Sequence, residues 1–181
     1  MVVLPDAVMD KAASTALESI IGCAGERCLA GSVVVSVGDE AYDVVRDRIC
    51  EEARSIRVGS GLEADVDMGP VISAASKERI LGLIQRAIEQ GAELLVDGRE
   101  GVDDLPGYFL KPTVLGNITP EMEISQVEVF GPVVLLAKAE SLDASIAWLN
   151  DSPYANTATL FTTNGAAARH FSYEAAPAML G

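Results

Sequence analysis

Of the three cysteines in the chain, Cys28 stands where a thiol could do chemistry, within Gly25-Glu26-Arg27-Cys28-Leu29-Ala30. Ala24 and Gly25 precede it, and Ala30 and Gly31 follow it. Such small neighbours let backbone amides come close to the sulfur and to any oxygen bonded beside it. That suits a thiolate adding to an aldehyde carbonyl, because the oxyanion formed needs fixed N–H donors. Arg27 is a cationic neighbour of the kind that favours a thiolate, and its guanidinium is also a planar fork for a carboxylate. The same residues admit a plainer reading: a buried structural cysteine in a tight loop, with Arg27 paired to Glu26 or Asp6. Cys23 and Cys50 are read as structural, Cys50 on the apolar face of a helix. Spacing allows a Cys23–Cys28 disulfide, which a reduced, cytosolic setting disfavours.

Composition narrows the classes. Thirteen Lys and Arg against 27 Asp and Glu give a net charge of −14. That surface repels phosphate backbones and anionic membranes, so neither nucleic acid nor a membrane is an expected partner. The odd number of cysteines, the absence of a C-x-x-C pair and the single histidine, His170, argue against a metal cluster. No signal-like segment and no window near the ~20 apolar residues of a membrane span is found. A cytoplasmic location is expected. At 181 residues with 49% hydrophobic and 5% aromatic side chains, the chain should form one aliphatic α/β domain.

The elements that must hold the cysteine loop can be read along the chain. Met1 to Pro5 is an apolar run, as of a buried strand entered halfway. Asp6 to Ile21 has helical spacing, and Ser32 to Val37 is a short β-branched strand. Gly38-Asp39-Glu40 opens a helix to about Ser55. Val58 to Pro70 is a long Gly- and Asp-rich loop. Ser73 opens a helix that Gly91 stops, and Ala92 to Val96 is a strand. Tyr108 to Leu115 is extended, and Pro112 suggests an edge or an arm. Val133 to Ala137 has the continuous apolar character of a central parallel strand. Leu142 to Asn150 is a helix, Thr157 to Phe161 a strand, and Gly165 to about Glu174 a last helix. His170 lies on that helix with no acid partner in a recognisable motif and is read as structural, as is Trp148. Alternation of strands and helices predicts an open, mostly parallel sheet with flanking helices. Both ends read as truncated.

Several motifs together carry a family resemblance. Gly25-Glu26-Arg27-Cys28 followed by small residues resembles the active-site cysteine motif of the aldehyde dehydrogenase superfamily. Asp67-Met68-Gly69-Pro70, Gly107 to Val114, Glu128-Val129-Phe130-Gly131-Pro132-Val133, Asn150 to Tyr154 and Leu160-Phe161-Thr162 match it in order, over about Leu4 to Gly181. The resemblance implies the catalytic domain of that fold, with Cys28 as the nucleophile that attacks the aldehyde and NAD as hydride acceptor. It implies Glu128 as the residue holding the ribose next to the nicotinamide, and Phe130 as the ring packed beside it. Val127 stands where many members have a first acid. The dinucleotide-binding Rossmann segment, the general base and the oxyanion asparagine of the family lie upstream of Met1, so residues 1–181 are expected to be inactive alone.

Arg27, the start Val3-Leu4-Pro5-Asp6-Ala7, and Phe161 to Ala166 with Ala168-Arg169 are similar to the methylmalonate-semialdehyde dehydrogenase branch. That resemblance implies Arg27 as a substrate-carboxylate contact, coenzyme A as acyl acceptor, and a homo-oligomeric parent. Water as acceptor with another aldehyde, or a scaffold without activity, are the alternatives.

Overall fold

The computed structural model describes residues 1–102, 104–154 and 156–181. Its centre is β5 (Val133–Ala139), whose first five residues are all buried. A strand covered on both faces by other layers needs no polar alternation, which is why Val-Val-Leu-Leu-Ala is continuous. On one side β5 pairs in parallel with β4 (Thr113–Gly116), and β4 pairs antiparallel with β3 (Glu93–Val96). On the other side lie β2 (Val33–Val37), β1 (Val2–Val3) and β7 (Leu160–Phe161), all parallel. The sheet order is therefore β3-β4-β5-β2-β1-β7. A separate parallel pair joins β6 (Thr157–Ala158) to β8 (Met179–Leu180).

The helices follow from caps and apolar stripes. Ser73, Ser141 and Asn164 accept backbone N–H groups at the starts of α3 (Ala74–Glu89), α5 (Leu142–Asp151) and α6 (Gly165–Glu174). α1 (Met9–Ile21) buries Ala12, Ala13 and Ala16, small enough for close approach to α2 (Asp39–Ser55). A short α4 (Glu123–Gln126) was not legible from the sequence. Cys50 is buried on α2, as its apolar face predicts.

Three expectations change. Tyr108 to Leu115 is no edge: β4 is interior, and Pro112 sits just before it where no ladder N–H is needed. Thr157 to Phe161 is not one strand, because the chain passes from β8's partner to β1's partner at Thr159. α1 starts at Met9, since Pro5 to Ala7 forms a turn closed by Ala7 N–H to the Leu4 carbonyl at 3.0 Å.

Candidate functional site

Two loops far apart in sequence meet because β2 and β5 are parallel neighbours, with Val33 opposite Leu135. One loop enters β2 and carries Cys28; the other enters β5 and carries Glu128 and Phe130. Tyr154 and Asn156, which precede β6 and β7, lie at the same end of the sheet. The site thus lies at the amino ends of these strands, opposite to the usual ligand crevice of open α/β sheets.

The cysteine loop starts in an unusual backbone. Cys23 and Ala24 have φ of 53° and 54°, and Gly25 continues at 73°. Three residues in the left-handed region turn the chain sharply off α1. A Cβ at Gly25 would lie 2.2 Å from the Gly131 carbonyl oxygen, so the two loops touch backbone to backbone there. Cys28 and Cys23 are exposed and all three thiols are free, which rules out the disulfide. Burial pushes the Cys50 thiol up, against the pull of Arg54 and Arg46.

Cys28 and Glu128 line one cavity of about 240 Å³, with Ser19, Trp148, Tyr154 and Asn156 among its walls. Glu128 is exposed, and its carboxylate takes no hydrogen bond from any described residue; its N–H donates to Tyr154 Oη at 3.0 Å. Phe130 and Arg27 do not line the cavity. Phe130 is half-buried, with a left-handed φ of 48°. Arg27 donates through Nη2 to the Ser19 carbonyl at 2.5 Å and lies over Gly22, where a Cβ would be 2.8 Å from that nitrogen. It pairs with neither Glu26 nor Asp6. Glu26 Oε2 accepts the Ile72 N–H at 2.9 Å, while Asp6 accepts from Thr162 and Thr163.

Other residues give the site its shape without having announced themselves in sequence. Arg79 on α3 donates to the carbonyls of Glu128, Val129 and Phe130 at 3.3, 2.5 and 3.4 Å, gripping the second loop by its backbone. Ser19 Oγ accepts from Gly31 N–H at 3.4 Å. His170 does have an acid partner, Asp143 Oδ1 at 2.6 Å, which ties α6 to α5 outside the cavity lining. No group of metal-ligating side chains exists among the described residues, and no described helix is long and apolar enough to cross a membrane.

Comparison with known proteins gives a consistent picture. The model of the Aldehyde dehydrogenase family matches residues 1–180. The acylating mitochondrial methylmalonate-semialdehyde dehydrogenase of Arabidopsis thaliana is 44% identical over 99% of this chain and 30% of its own. Malonate-semialdehyde dehydrogenase 1 of Geobacillus kaustophilus is 41% identical, over 99% of this chain and 37% of its own. Among solved structures, methylmalonate-semialdehyde dehydrogenase from Oceanimonas doudoroffii superposes with a TM-score of 0.97 at 36% identity, over 99% of this chain and 37% of that one. The NAD⁺ complex of an aldehyde dehydrogenase from Bacillus cereus gives 0.93 at 30%, over 99% and 36%. The chain thus spans about a third of the length of the relatives it matches.

Proposed function

Since this chain belongs to the aldehyde dehydrogenase family, we propose that it is the cysteine-bearing catalytic domain of a semialdehyde dehydrogenase that converts malonate or methylmalonate semialdehyde to an acyl-coenzyme A. The observation that carries this reading is the exposed Cys28 lining the same cavity as Glu128, whose carboxylate has no partner among the described residues. The names of the relatives supply the substrate class.

In this reading the Cys28 sulfur adds to the aldehyde carbon, and the oxygen takes the electron pair of the broken π bond. Close backbone amides in the small-residue loop stabilise that charge. NAD, when bound, would supply the acceptor for the hydride lost as the Cys28 adduct becomes an acyl thioester, and coenzyme A would supply the thiol that takes the acyl group. Glu128 fits the ribose end of NAD, since a carboxylate accepts from two hydroxyls; Phe130, on the same loop but outside the cavity lining, is the ring beside the nicotinamide by family resemblance alone. The family resemblance is what supports Arg27 as the contact for the substrate carboxylate; here its guanidinium is anchored on the Ser19 carbonyl outside the cavity lining, with other donors of the fork available. The dinucleotide-binding portion and general base belong to the rest of a homo-oligomeric, cytoplasmic parent, so residues 1–181 alone should not oxidise aldehydes with NAD.

A nitrophenyl acyl ester tests the thiol without any hydride acceptor. The expected result is nitrophenolate release, an acyl group on the Cys28 peptide by mass spectrometry, and its transfer to added coenzyme A. Release that is unchanged in Cys28→Ser, or an acyl group that water removes as fast as coenzyme A does, contradicts the reading.

A further inference from the structure

Tyr154 and Asn156, between α5 and β6, reach the two halves of the site. Asn156 Nδ2 donates to the Cys28 carbonyl at 3.0 Å, a contact across 128 residues of sequence. Two positions earlier, Tyr154 Oη accepts the Glu128 N–H at 3.0 Å. Both side chains line the cavity. Their own backbone is seated from behind. The Asn156 carbonyl accepts the Met179 N–H at 3.2 Å, and the Tyr154 N–H donates to Ser152 Oγ at 3.3 Å.

We propose that Asn156 is a positioning residue for Cys28, with Tyr154 its counterpart for Glu128; the role rests on Cys28 being the nucleophile. A peptide unit is planar, so a donor held on the Cys28 carbonyl orients the whole Cys28–Leu29 unit and sends the Leu29 N–H the opposite way. That restricts ψ of Cys28 and with it the direction in which the side chain leaves the backbone. Ser19 holds Arg27 and Gly31, Glu26 holds the Ile72 N–H, and the Ala30 N–H donates to the Arg27 carbonyl at 3.1 Å, closing a turn with Cys28 and Leu29 at its centre. Such a turn closes on either orientation of its central peptide. Cys28 and Leu29 are themselves exposed, so packing does not fix them. The carboxamide, bound to the central carbonyl of that turn, selects which of the two orientations the Cys28–Leu29 peptide takes, and so where the sulfur is aimed. Because the contact is exposed, losing it frees that peptide without unfolding the sheet.

Amide hydrogen exchange with thiol mapping on the same samples of the 181-residue chain tests this. Asn156→Asp keeps the shape of the side chain but turns an acceptor towards the Cys28 carbonyl, whereas Asn156→Gln keeps a donor. In Asn156→Asp, exchange of residues 28–31 should rise about tenfold, the local opening expected from one lost net hydrogen bond. The Cys28 alkylation rate should shift at least about threefold, within the same range. The melting temperature and exchange in β2 and β5 should stay at wild-type values, and Asn156→Gln should return both readouts towards wild type. Tyr154→Phe should loosen residues 127–130 and leave 28–31 unchanged. Exchange at 28–31 within about twofold of wild type in Asn156→Asp overturns the proposal. So does a rise spread over every peptide, or a Gln variant no nearer wild type than Asp. A wild-type chain that alkylates at Cys23 or Cys50 before Cys28 would instead sink the nucleophile reading, leaving the exchange result to stand by itself.

Discussion

The loop that carries Cys28 and the loop that carries Glu128 and Phe130 enter neighbouring strands, but they are restrained by different means. The second is held from beneath. Val129, Gly131 and Pro132 are buried, Arg79 grips three successive carbonyls, and a Cβ on Gly131 would lie 2.4 Å from Ile80 Cδ1. The first has exposed residues at its tip and is held by one turn bond from the Ala30 N–H to the Arg27 carbonyl and by polar contacts with Ser19, Ile72 and Asn156. In the proposed function, the thiol that reaches substrate would sit on the open loop and the residues proposed to face the cofactor on the fixed one. The two meet at Gly25 against Gly131, so any error in the rigid loop is passed to the open one.

That junction is the first place to break the comparison. Gly25→Ala adds a Cβ 2.2 Å from the Gly131 oxygen at a φ of 73°, where an L side chain is strained. Overpacking and the left-handed penalty together should cost about 4 kcal/mol in urea unfolding. A loss below about 1 kcal/mol, under the low end of the overpacking cost alone, would mean that the loops separate easily. Next comes Ile80→Ala, which empties the fully buried floor beneath Gly131. It should cost about 3 kcal/mol and raise amide exchange in residues 128–132 more than in 26–31. Equal rises would erase the distinction between a rigid and an open loop.

The smallest expected effect lies at the far edge. Hydrogen bonds from Thr163 and then Thr162 hold the Asp6 carboxyl below its ordinary value. A lowered carboxylate stabilises the fold above its unfolded pKa of about 3.9, and that contribution is lost as pH falls through the folded value. The stability gap between wild type and Asp6→Asn should therefore be flat above about pH 5 and close as pH drops below about 4. A gap that widens on acidification would show that another group governs this edge.

What the sequence discloses follows the range of the interactions. Helix starts at Ser73 and Gly165 and the central strand at Val133 were legible because caps and apolar runs are local. The division of Thr157 to Phe161 between two sheets was not, since it depends on whether β8 or β1 lies alongside. Likewise Pro112 pointed to an edge, but which strand is outermost is settled only by β3 folding back antiparallel. Cys28 and Glu128 could be named from their motifs, whereas Arg79 and Asn156 could not. Their partners are backbone carbonyls about fifty and 128 residues away, and a carbonyl leaves no mark in the identity of its residue. The His170–Asp143 pair was missed for a different reason: both side chains are visible in the sequence, but only the packing of α6 beside α5 brings them together.

The central claim is that Cys28 is the reactive thiol, in contrast to Cys50, which is buried with its pKa pushed up, and to Cys23, which is exposed but outside the cavity lining. Limited alkylation with iodoacetamide followed by peptide mapping measures this directly. Cys28 should label first, Cys23 later, and Cys50 only on unfolding, with Cys28 labelling slowed by a bound aldehyde that occupies the cavity. First labelling at Cys23 or Cys50 with Cys28 unmodified would contradict the account.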